Sequence, residues 1–216
     1  MEVMVCNMEI PETPRYQYAR EKAIDTLIEY GNGVLPISVK NIIYNLPVNI
    51  RYNTFSNLLK SGITMSEILD TYKSNDGAVV QCNNGYCIIY NDIDKPSQRI
   101  RFTLAHELGH IVLGHLEFDG CLYRLSNNEY KVLETEANQF ASQLLSPEPL
   151  IRDILKQSKA RIIYANQIQN VFDISLESAS CVIKRLKSKR GISSYKEGEL
   201  HTLYSKPLKE IYELYD

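Results

Sequence analysis

Apolar positions along the chain recur mostly at helical spacing. Over 16–30, Ala19, Ala23, Ile24, Leu27 and Ile28 fall on one side and Gly31-Asn32-Gly33 breaks the run, so a helix is expected there. A second helix is expected at 38–45, ahead of Pro47, and short helical stretches at 53–60 and 66–69. Val48-Asn49-Ile50-Arg51-Tyr52 alternates as a strand does. Ala78-Val79-Val80-Gln81-Cys82 and Tyr86-Cys87-Ile88-Ile89-Tyr90 flank Asn83-Asn84-Gly85, which reads as a hairpin. After Pro96 a helix capped by Ser97 follows, with Leu104, Leu108, Ile111 and Val112 on its apolar face. Further helices are expected at 128–145, stopped by Ser146-Pro147-Glu148-Pro149, then at 150–157, 159–171, 176–187 and, in the tail, 206–214. The pattern is that of an α+β fold: mostly helical, with a small antiparallel sheet preceding the helix that starts near 97, then a helical C-terminal region.

At 216 residues the chain can bury one substantial core. The pattern divides it into a loose arm at 1–12, a main domain at 13–149, a helical C-terminal subdomain at 150–190 and a tail at 191–216. A formal charge of −2 gives no net pull towards nucleic acid or acidic membrane. No apolar run is long enough to span a bilayer, and Glu2 and Glu9 stand where a signal peptide is basic, so a cytoplasmic protein is expected. Five cysteines without C-x-x-C spacing argue for reduced thiols rather than a disulfide framework or a cysteine-rich metal site.

Chemistry concentrates on the helix after 97. His106-Glu107-Leu108-Gly109-His110 is an H-E-x-x-H pentad, and residues four apart on a helix share a face, so both imidazoles can reach one metal ion. Glu107 lies roughly 60° around the helix from His110, close enough to hold a water without being a ligand. Leu104, Leu108, Ile111 and Val112 stand roughly opposite the histidines, and Gly114 is expected near the ligand face, where a bulky side chain would crowd the site. The strand at 86–90 is the nearest in sequence, and reads either as an exposed edge for an extended substrate or as an ordinary internal strand.

A catalytic zinc usually takes three protein ligands and leaves one position open. His115 comes nine residues after His106, whereas the longer His-Glu-x-x-His-x-x-Gly-x-x-His pattern needs histidine at 116 and glycine at 113, which are Leu116 and Leu113. On a continuous helix His115 points to the apolar side, so a capping or surface role is expected for it. The third ligand must then come from the next helix, where Glu129, Glu134 and Glu136 are candidates. Glu134 shares its face with Ala137, Asn138 and Ala141 and turns inward; Glu136 turns towards Gln139 and Gln143, a side that reads as solvated. Glu134 is the expected ligand, with Glu136 the alternative. Asn138 is placed to bond the free ring nitrogen of His106 or His110.

Arg101-Phe102-Thr103-Leu104-Ala105-His106-Glu107-Leu108-Gly109-His110, followed by Glu134-x-Glu136-Ala137-Asn138-x-Phe140-Ala141-x-x-Leu144-Leu145-Ser146-Pro147, resembles the ImmA/IrrE family of metallo-endopeptidases. The likeness runs over about 15–186, including the first helix, the Asn-Gly hairpin and the Phe172-Asp173-Ile174-Ser175 turn; Ser146 departs from the methionine usual in the family. The resemblance implies a zincin-like domain, a Zn2+ cofactor held by His106, His110 and Glu134, and Glu107 as the catalytic base. It also implies a cytoplasmic protein whose substrate is a helix-turn-helix repressor, cleaved to release the genes it silences.

A rival class is a non-catalytic regulatory or DNA-binding protein. Its support is Lys184-Arg185-Leu186-Lys187-Ser188-Lys189-Arg190, a cationic run at a helix end. Helix dipoles favour cations there, and no recognition helix or aromatic series accompanies the run, so direct nucleic-acid binding is not expected.

Overall fold

The computed structural model describes residues 10–117, 125–157, 165–187 and 194–215. Most of the expected N-terminal arm, the first part of the helix expected at 159–171 and the end of the basic run lie outside the described residues. The described elements are α1 (Tyr16–Tyr30), α2 (Val39–Asn45), β1 (Ile50–Thr54), α3 (Phe55–Lys60), α4 (Met65–Tyr72), β2 (Gly77–Cys82), β3 (Gly85–Tyr90), α5 (Ser97–Val112), a 3-10 turn (His115–Glu117), and α6 (Asn127–Leu145). α7 (Glu148–Gln157), α8 (Ala165–Phe172), α9 (Leu176–Lys187), α10 (Glu197–Leu203) and α11 (Ser205–Tyr215) complete the set. The architecture is α+β and mostly helical.

β2 and β3 form the expected antiparallel hairpin, but the sheet is mixed. β1 adds to the other side of β3 in parallel, from Ile50 opposite Tyr86 to Thr54 opposite Tyr90, giving the order β1-β3-β2. The two short helices between β1 and β2 carry the chain across to the far side of β3. Among the described residues β3 is therefore the central strand, and β2 is an edge.

Local signals account for the helix ends. Ser38 and Thr54 cap α2 and α3, and Thr64 and Ser126 form capping boxes with Glu67 and Glu129 at the starts of α4 and α6. Ser97 does not cap α5: it is already helical, and Pro96 precedes it without a side-chain bond. Beyond 194 the described chain makes two helices rather than one, and Leu200, Tyr204 and Leu208 seat both against the core.

One apolar cluster runs from Ala19 on α1 to Ile211 on α11, so the helices after 148 share a core with α5 and α6. α6 packs against both α5 and α1. Two arginines of α5 fasten the rest of the fold to it. Arg101 donates to the carbonyls of Ile37 (2.7 Å) and Phe172 (3.1 Å) and pairs with Asp173 (2.7 Å), tying in the loop before α2 and the turn before α9. Arg99 grips Asp76 through two bonds of 2.8 and 2.6 Å, and Lys95 adds a third at 3.2 Å, which fixes the start of β2. Gly77 then lets β2 lie close to α5, since a Cβ there would stand 2.6 Å from the Thr103 methyl.

Candidate metal centre

α5 and α6 bring three donor groups to one point. The Nε2 atoms of His106 and His110 are 3.1 Å apart, and the Glu134 carboxylate lies 3.3 Å from the first and 3.2 Å from the second. Ligands about 2.0–2.1 Å from a tetrahedral ion are separated by about 3.3 Å, and here each imidazole nitrogen meets a different oxygen of the Glu134 carboxylate at about that spacing. Among the described residues this is the one group of three or more histidine, cysteine or acidic side chains close enough to share an ion.

The hydrogen bonds behind the rings fit that role. Asn138 Oδ1 lies 3.1 Å from His106 Nδ1, as expected from its place one turn after Glu134. With the amide oxygen accepting, Nδ1 carries the proton and Nε2 keeps its lone pair for a metal. The donor set, two imidazoles and a carboxylate with open space beside them, suits a divalent ion of the zinc type.

Charge in the site is strongly perturbed. Burial pushes the Glu107 carboxyl up to about 7, with His106 and a Val79 backbone N–H opposing the rise and Glu134 adding to it. Burial brings His110 down to about 4 despite Glu134. Burial also works against ionising Glu134, but its bonds to both histidines hold it well below the usual carboxylate range. His106 is raised: Glu134, Glu107 and Asn138 outweigh the effect of burial.

These groups line a cleft of about 360 Å3, walled on one side by Gly77 to Val80 of β2 and on the other by Tyr130 of α6. The substrate-edge reading of 86–90 is corrected: β3 has a partner on each side, and the strand bordering the site is β2. Sequence reasoning also missed Tyr130. Burial pushes its phenol up to about 12, helped by the negative charge of Glu134, to which it hydrogen-bonds, and of Glu107. Its i, i+4 spacing from Glu134 was the available signal.

Three further expectations are overturned. Glu136 is not a solvated charge but wholly buried. It accepts bonds from the Arg15 backbone N–H (2.7 Å), Nε (2.9 Å) and terminal nitrogen (2.8 Å), so it serves Arg15 and lies outside the group formed by His106, His110 and Glu134. His115 is not at the surface either: it is 1% exposed, with Nδ1 3.0 Å from His110 Nδ1 and Nε2 3.2 Å from Glu136. The reason is that α5 ends at Val112 and Gly114 takes a left-handed conformation (φ 73°), which swings His115 back against His110. Gly114 itself is there for that turn, since a Cβ on it would meet only the Glu117 side chain.

Residues 61–183 match the peptidase family described as the IrrE N-terminal-like domain, more than half of the chain. The chain belongs to this family. A 73-residue stretch is 38% identical to the radiation response metalloprotease IrrE of Deinococcus radiodurans, covering 32% of this chain and 22% of that protein. The family is one of peptidases, and His106, His110 and Glu134 converge as a group that could hold a metal ion. Among the described residues no helix is long and apolar enough to cross a membrane. Of the basic run, Arg185 pairs with the buried Glu148.

Proposed function

We propose that this chain is a zinc endopeptidase of the cytoplasm that cleaves a helix-turn-helix transcriptional repressor and so frees the genes it silences. The observation that carries the endopeptidase reading is the meeting of His106, His110 and Glu134 at one point, with Glu107 beside them in a cleft bordered by an edge strand. The repressor as substrate rests on the resemblance to ImmA/IrrE proteins.

His106, His110 and Glu134 would hold the ion. When bound, Zn2+ supplies Lewis acidity to a water and to the scissile carbonyl. Glu107 takes the proton of the attacking water and delivers it to the departing amine nitrogen, one carboxyl serving as general base and then as general acid. The Tyr130 phenol faces the cleft, so it is the donor we assign to the tetrahedral oxyanion, its single O–H turning there from Glu134. β2 offers its free edge to an extended substrate backbone, and the Val79 N–H holds Glu107 at that edge.

Mixing the purified protein with the repressor encoded beside it, with and without a chelator, tests the reading. Cleavage predicts a discrete fragment that disappears with chelator. Displacement of the repressor from its operator with no fragment formed would favour the non-catalytic regulatory reading instead.

A further inference from the structure

A chain of polar groups, exposed at Arg15 and buried at Glu136 and His115, leads from the start of α1 to one of the two histidines of the centre. Arg15 stands immediately before α1 and 121 positions from Glu136, to which it gives three hydrogen bonds. Glu136 accepts a fourth from His115, and His115 meets His110. An ion pair that merely anchored α1 to α6 would need only Arg15 and Glu136. Here a histidine with both ring nitrogens engaged is interposed, and its other end lies on a ring of the centre.

The direction of each bond follows by elimination. Glu136, surrounded by donors, is an ionised acceptor, so Nε2 of His115 carries a proton. A neutral His115 then has a bare Nδ1. Two Nδ1 atoms 3.0 Å apart bond only when one is protonated, so His110 bears its proton on Nδ1 and leaves Nε2 bare, facing His106 and Glu134. Without Arg15, the buried carboxylate loses its compensating charge and the order of donors and acceptors is no longer dictated.

We propose that Arg15, Glu136 and His115 form a positioning relay that fixes the tautomer and tilt of His110, so that a residue at the head of α1 sets the metal affinity of the centre. This rests on the reading of His106, His110 and Glu134 as the metal ligands. The relay does not touch substrate. Its effect is on how well the ion is held, and it extends the usual pairing of a metal-bound histidine with an acceptor by one intervening ring.

The test uses the full chain and Co2+ as the probe. Co2+ absorption reports coordination geometry, and competition with a chelator of known strength reports affinity. His115→Phe and Arg15→Gln are expected to weaken Co2+ binding about 10- to 100-fold and to alter the absorption bands. His115→Gln, whose amide offers an acceptor oxygen and a donor NH2 group, is expected to restore most of the loss. Wild-type affinity and spectrum in Arg15→Gln would overturn the relay, and this holds even where His115→Phe fails to fold, because the Arg15 side chain is 39% exposed. Absence of Co2+ binding by the wild type, or binding that survives His110→Ala, would overturn the metal reading and the relay with it.

Discussion

Gly109 of α5 lies so close to Phe140 of α6 that a Cβ on Gly109 would stand 3.0 Å from the ring Cδ1 and 3.3 Å from the Ala137 carbonyl. This contact lies one residue from His110, and it lets the helices approach until Glu134 reaches both imidazoles. Gly109→Val should therefore force the helices apart. The expected cost is about 2–3 kcal/mol in denaturant unfolding of the metal-free protein, with weaker metal binding by chelator competition. Unchanged metal affinity in a folded variant would show that the spacing of the centre is set elsewhere.

Glu107→Gln removes the proton acceptor and keeps the shape. Proteolysis of the proposed repressor substrate is expected to fall by about 10²–10⁴-fold while metal stoichiometry stays at the wild-type value. Metal content and cleavage rate measured on the same preparation separate the two, and retained turnover would take Glu107 out of the mechanism.

Metal should stabilise the fold through His106, His110 and Glu134, the ligands proposed above. Adding Zn2+ at about 100 times its dissociation constant to stripped protein is expected to raise stability by about 2.7 kcal/mol, read as an upward shift in Tm that a chelator reverses. His110→Ala and Glu134→Ala should each abolish that shift. A full shift in Glu134→Ala would exclude this carboxylate as the third ligand.

The clamp on β2 is acid-labile. Arg99 holds the Asp76 carboxyl below the ordinary aspartate value, against the opposing effect of burial, and Lys95 helps. A depressed native pKa means that the unfolded chain binds the proton more readily. The stabilisation is complete above about pH 4 and drains away as pH falls through the native value. Asp76→Asn is expected to lower neutral-pH stability by about 0.5–1 kcal/mol, a small figure because the pair is partly exposed, and the gap to wild type should close below pH 4. Thermal melts across pH check both halves; a gap that widens on acidification contradicts the assignment.

The pentad, Glu134 and Asn138 were legible because their relations are local: within a continuous helix, spacing alone fixes the face. The same rule failed for His115, since it was extended past Val112 to a residue no longer in the helix. It failed for Glu136 for a different reason. A polar flank beside Gln139 and Gln143 reads as solvated when a helix has one buried side, but α6 is packed by α5 and by α1, and Gln143 is itself 2% exposed. No local pattern announces that Arg15 will meet Glu136. The hairpin was readable from Asn84-Gly85, whereas the parallel addition of β1 to β3 is a long-range pairing that a strand's own alternation does not specify.

The arginine before α1 and the whole of α1 lie outside 61–183, the stretch by which kinship to the family is recognised. A fragment trimmed to that stretch would strip Ala19, Ala23 and Leu27 from the large core and strand a buried carboxylate without its guanidinium. The smallest autonomous unit that keeps the centre intact is thus longer than the signature that reveals it, and expression boundaries drawn from the signature alone should yield insoluble material.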